Sequence, residues 1–129
     1  MRNNFTFFTL FTILLGLSIL NTSCSFVDPM TQAQNFSKRG KFEESIKVLE
    51  KELQSKPNSV PVKTLLAQAY SDYGLVLCQD KKKPPRVKYP MAKENFAKAL
   101  AINPNLEDAK EMYKMIEQIQ AVMKSRKTN

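Results

Sequence analysis

The sequence predicts an all-α fold, and three observations carry that prediction. Apolar residues recur at steps of three and four along Val62, Leu65, Leu66, Ala69, Tyr70, Tyr73, Val76, Leu77 and again along Ala109, Met112, Ile116, Ile119, Met123. That is the period of a helix with one buried face. Helix start and stop signals flank such segments at Asp28-Pro29, Gly40, Pro57-Asn58 and Pro104-Asn105. The chain also matches itself at an offset of 47: Lys41 with Lys88, Phe42 with Tyr89, Ser45 with Ala92, Leu49 with Phe96, Lys51 with Lys98, Leu53 with Leu100, and Pro57-Asn58 with Pro104-Asn105. A helical pattern that repeats at a fixed period marks a stack of similar helical units.

The first element, residues 1–23, reads as a signal peptide. Met1-Arg2 gives a positive start, the apolar run Phe5 to Leu20 follows, and small residues Thr22-Ser23 lead to Cys24. The run has 16 residues, fewer than the roughly 20 of a membrane-spanning helix. Asn21-Thr22-Ser23-Cys24 resembles the lipobox of bacterial lipoproteins, although Asn21 stands where that motif usually has Leu. The resemblance implies that Cys24 is lipidated, becomes the mature N-terminus and anchors the chain through residues 24–27. The protein would then face the periplasm. Ser25, where an Asp would favour inner-membrane retention in some bacteria, points to the outer membrane. An uncleaved anchor and an ordinary cleaved signal are the competing readings.

Removing residues 1–23 from the 129 leaves 106, one small domain, and removes Arg2 alone among the charged residues, so the formal charge falls from +8 to +7. An exported basic domain meets anionic headgroups before nucleic acid, so no nucleic-acid role is expected. There is no histidine, and Cys78 is the only thiol besides Cys24. The commonest general base, the usual zinc ligand and any paired-cysteine site are therefore missing. Gly16, Gly40 and Gly74 are too scattered for a phosphate-cradling loop. The sequence predicts no enzyme, metal, cofactor or small-molecule substrate, and reads Cys78 as a buried, inert thiol.

The helices of residues 28–129 follow in order. Asp28 caps and Pro29 opens the first, which places Met30, Ala33 and Phe36 on one face and ends at Gly40. Phe42 to Ser55 forms the second, with Glu43 and Glu44 at its positive end. The third, of roughly 20 residues, follows Asn58-Ser59 and is unusually long. A basic insertion over 79–89 comes next, expected as a loop held extended by Pro84-Pro85. Pro90 is expected to open the fourth helix, with Ala92, Phe96, Ala99 and Leu100 as its stripe. Asn105, supported by Asp108, is expected to cap a fifth helix over 105–126. Its narrow stripe would leave the other face charged, as suits a terminal capping helix.

Gly40-Lys41-Phe42-Glu43-Glu44-Ser45-Ile46, with Leu66, Ala67, Tyr70 and Gly74, resembles the tetratricopeptide repeat. The resemblance covers about residues 28–117. It implies antiparallel helix hairpins stacked as an α-solenoid: repeat one over 28–58, repeat two over 59–104, then the capping helix. The family repeats every 34 residues, so the offset of 47 requires an insertion, assigned to a lengthened third helix and the basic loop. Such repeats bind protein or peptide on the face of their first helices. Carried onto this chain, that face is Met30, Gln34, Ser37 and Lys38 in repeat one, and Thr64, Gln68, Ser71 and Asp72 in repeat two. The Lys, Arg and Asn of a carboxylate clamp are not reproduced there. The implied function is a scaffold or adaptor with a protein partner. The alternative is a membrane-surface lipoprotein whose Lys81, Lys82, Lys83, Arg86 and Lys88 contact anionic headgroups without a specific peptide partner.

Overall fold

The computed structural model describes residues 27–126, and these fold into five α-helices with no strand among them. The segment expected to be a signal peptide and Cys24 lie outside the described residues. The helices are α1 (Pro29–Lys38), α2 (Phe42–Ser55), α3 (Val60–Gln79), α4 (Pro85–Ile102) and α5 (Glu107–Ser125). Each packs mainly on the helix before and the helix after it, with lesser contacts from α1 and α5 to α3.

Local chemistry sets the first boundaries. The Asp28 carboxylate accepts the Thr31 N–H at 3.0 Å and Pro29 occupies the first turn, so one orphan donor is satisfied and another never existed. At the other end Gly40 takes φ of +73°, which costs glycine little. Its N–H donates to the Ser37 carbonyl while the Lys41 N–H donates to Phe36, both at 2.9 Å. That pair of bonds is the Schellman closure, and it turns the chain straight into α2.

The side chains that meet across the helices fix their directions. Tyr73 donates to Glu43 and Tyr70 to Glu50, so α2 and α3 run antiparallel. The Phe42 and Tyr73 rings stack at 6.2 Å beside the first of those bonds. Gly74 lies against Phe96, and the Lys98 ammonium sits 5.6 Å from the Tyr70 ring centroid, so α3 and α4 are antiparallel too. Lys93 bonds Glu117 at 2.9 Å, joining α4 to α5.

The internal self-match has a structural counterpart. Ser45 and Leu49 on α2 are buried, as are their partners Ala92 and Phe96 on α4. The turns that follow repeat as well. The Lys56 N–H donates to Glu52 at 2.9 Å and the Asn103 N–H to Ala99 at 2.8 Å. Ser59 then donates to Lys56 and Leu106 to Asn103, again at an offset of 47.

Three boundaries differ from expectation. Pro84 is the N-cap of α4 and Pro85 its first residue, so the fourth helix starts five residues before Pro90. Proline is pre-set for a helix's first position, and the dipeptide that would break a helix instead begins one. Pro90 stands inside α4 on an exposed side, where its missing N–H leaves only one carbonyl of the first turns without its helical partner. The basic segment is thus a loop of Asp80–Pro84 followed by helix, and the extra residues of the second hairpin lengthen both of its arms. The third difference is at α5, whose N-cap is Leu106 without a side-chain bond. Asn105 does not cap it; it stands one residue before the cap, and its N–H donates to the Asn103 side chain at 3.1 Å.

Candidate functional site

A groove of about 210 Å³ opens where α1, α2 and α3 meet. Its floor is Ala33, Leu49, Leu65 and Ala69, with Ser45 among them, and its rim is Gln34, Ser37, Lys38, Gln68 and Asp72. The rim is ordered by its own hydrogen bonds. Ser37 donates to Ser45 at 2.9 Å, tying α1 to α2, and the Gln68 amide donates to Asp72 at 2.9 Å along α3. Lys38 and Asp72 bring opposite charges to the two sides. Apolar depth under a polar, partly pre-organised edge suits a peptide side chain whose backbone lies across the rim.

Of the eight residues expected on this face, the groove brings together Gln34, Ser37, Lys38, Gln68 and Asp72. Thr64 is exposed further along α3, and its hydroxyl donates to the Val60 carbonyl at 3.0 Å. Met30 is half-buried against the core, so it packs the domain. Ser71 is a correction. It is 1% exposed and cannot contact a partner. It shares a helical column with Ala67 and Gly74, whose small side chains let α4 come close, and that column turns inward. Reading the sequence alone missed the floor residues Leu49, Leu65 and Ala69. Their apolar spacing was visible but read only as core.

The second candidate surface is the tip of the α3–α4 hairpin. The five cations expected there do not act alike. Asp80 folds the loop: its carboxylate accepts the Lys82 N–H at 2.8 Å and pairs with the Lys83 ammonium at 2.7 Å. Those bonds, Lys83 first, hold the Asp80 carboxyl below the usual range. Lys88 lies on α4, reaches back to the Asp80 carbonyl at 3.2 Å and sits over the Tyr89 ring. Lys81, Lys82 and Arg86 remain exposed, with no ion pair among the described residues. The extended five-charge loop is therefore a compact turn with three outward charges. Nearby, burial pushes the Cys78 thiol up against the opposing charge of Lys88, which keeps it a poor nucleophile.

The two candidate surfaces differ in their distance from the start of the described chain. Asp28 lies by the end of α2: Lys56 there is held above the usual lysine range, chiefly by Glu52 and in smaller part by the charge of Asp28. Since α2 is antiparallel to α3, the basic tip belongs to the opposite end of the stack. At that end Arg86, Pro85 and Pro90 line a shallow pocket with Gln120, Met123 and Lys124 of α5.

Among the described residues no cluster of His, Cys, Asp or Glu is placed to hold a metal, and no helix is long and apolar enough to cross a membrane. No protein-family model, curated protein or solved structure matches this chain.

Proposed function

We propose that this chain is a lipid-anchored adaptor of a bacterial envelope complex, built from two tetratricopeptide-like hairpins and a capping helix. The groove between α1 and α3 binds a segment of a protein partner, and the domain performs no chemistry of its own. The observation that carries this reading is the groove itself, with an apolar floor of Ala33, Leu49, Leu65 and Ala69 under a rim drawn from two non-adjacent helices. Burial of Ser45 and Ala92, and of Leu49 and Phe96, at matched positions supports the two-hairpin part. Acylation of Cys24 would hold the domain facing the periplasm, with the outer membrane favoured.

The geometry bears on the alternative of a headgroup-binding surface. Four residues from Cys24 to Asp28 span at most roughly 14 Å, so the anchor would hold the Asp28 end of the stack near the bilayer. The tip charges Lys81, Lys82 and Arg86 lie at the other end, and α3 of 20 residues separates the two by about 30 Å. The groove, not the tip, is therefore the better-placed working surface. Two measurements on the full chain test this reading. Cys24→Ala should abolish palmitate incorporation and release the protein from the membrane fraction; unchanged fractionation would reject the anchor. Replacing Lys81, Lys82 and Arg86 with Gln should leave membrane association of the acylated chain unchanged, whereas release would favour the headgroup reading.

A further inference from the structure

α5 was expected to bury one narrow stripe and turn a charged face outward. Its buried seam is Ala109 and Ile116. Beside that seam runs a second stripe, and its middle is apolar: Met112, packed in part on the core, and Ile119 are half-buried at its margin, while Met115 is 50% and Val122 51% exposed. No other helix of the chain covers this side among the described residues, since α5 packs on α4 and, to a lesser extent, on α3.

The stripe is closed at both ends by charge. Asp108 lies one turn before Met112 and Arg126 one turn after Val122, both exposed and neither in an ion pair among the described residues. Glu107, by contrast, is already held by Lys110 at 2.7 Å. The series 108, 112, 115, 119, 122, 126 advances by 4, 3, 4, 3, 4. This is the spacing of a coiled-coil seam, and it reads the same in both directions about residue 117. Two such helices laid antiparallel on a two-fold axis at that point meet Met112 with Val122, Met115 with Ile119, and Asp108 with Arg126. Elsewhere on the helix the charges are mixed, with Lys110 held by Glu107 and Glu117 by Lys93, so the charges that set the direction are Asp108 and Arg126 at the two ends of the stripe. Antiparallel pairing sets acid against base and opposes the helix dipoles. Parallel pairing would set acid against acid.

We propose that the outward stripe of α5 is a self-association surface: two copies of this chain pair through antiparallel α5 helices, with Met112, Met115, Ile119 and Val122 forming the seam and Asp108 meeting Arg126 of the second copy at each end. The occupant is a second copy because the pattern is its own complement, as a two-fold interface requires. Pairing leaves the α1–α3 groove open on each copy, so the dimer presents two grooves from one assembly. This inference stands whether or not the groove binds a partner.

The test uses the full chain purified in detergent, with its protein mass followed by light scattering over a wide concentration range. The expected result is a rise from one chain to two. Met115→Glu with Val122→Glu should hold the mass at one chain. Both residues are half-exposed, so helix content by circular dichroism should not change. Asp108→Arg should weaken pairing about tenfold, since the symmetric interface places two like-charge contacts where two ion pairs stood. Asp108→Arg combined with Arg126→Asp should restore it. A one-chain mass at every concentration overturns the proposal. So does a dimer indifferent to the Met115 and Val122 charges, or one that Asp108→Arg does not weaken.

Discussion

The first and second hairpins are held together by different means. In α1–α2 the helices have 10 and 14 residues, and the joint is made by local devices: the Asp28 cap, the Gly40 turn and the Ser37–Ser45 bond. In α3–α4 they have 20 and 18 residues, and the buried small residues Ala67, Ser71 and Gly74 of α3 and Ala92 and Ala99 of α4 let the helices come close, with the Phe96 ring against Gly74. A short α1 cannot cover a long α3. The groove lies where α1 and α3 face each other across α2, and the basic tip runs on beyond the first hairpin. The longer second hairpin thus carries the basic tip past the first, and its close packing supplies most of the core.

The comparison is broken most directly by truncating the two matched core positions. Phe96→Ala should cost about 4 kcal/mol and Leu49→Ala about 3 kcal/mol, judged by denaturant midpoints, because both side chains are fully buried. Equal or reversed losses would show that the second hairpin is not the main store of stability.

Gly74→Ala comes next. A Cβ there would lie 2.9 Å from the Phe96 ring, so overpacking of about 2 kcal/mol should outweigh the roughly 1 kcal/mol that alanine gains in a helix. A net loss of about 1 kcal/mol, relieved when Phe96 is also shortened to Leu, would locate the effect in that contact.

Asp28→Ala should cost about 1 kcal/mol through the lost Thr31 bond. Hydrogen exchange should rise in α1 and stay unchanged in α3 and α4. The smallest effect lies at the α2–α3 joint. Burial first, and the bond to Glu43 second, push the Tyr73 phenol up to about 12. Its folded pKa exceeds its unfolded value, so its stabilisation is complete below pH of about 10. It should fade as pH rises towards 12. Tyr73→Phe should flatten that alkaline decline in the thermal midpoint.

How much of this was legible in the sequence depended on how local the cause was. Asp28-Pro29 and Gly40 specify their boundaries through caps a few residues wide, and those ends were read directly. The start of α4 was misread because Pro85 and Pro90 both carry a helix-start signal, and only the packing of Lys88 and Tyr89 against the Asp80 turn and the core separates them. Ser71 was misread for a related reason. Its exposure depends on how closely α4 approaches its column, and no periodicity within α3 states that. The groove rim followed from the repeat resemblance, but its floor is drawn from α1, α2 and α3 together and shows no pattern of its own. The outward stripe of α5 was present in the sequence throughout; only the burial of Ala109 and Ile116 shows which of its two apolar lines is spare.

The central claim, an adaptor working through the α1–α3 groove, is tested most directly by a photo-crosslinking side chain placed at Gln68 in the full chain and activated in intact cells. The account predicts one discrete adduct with a different protein from Gln68 and none of that mass from the same group at Arg86. The same adduct from both positions, or none from Gln68, would contradict it.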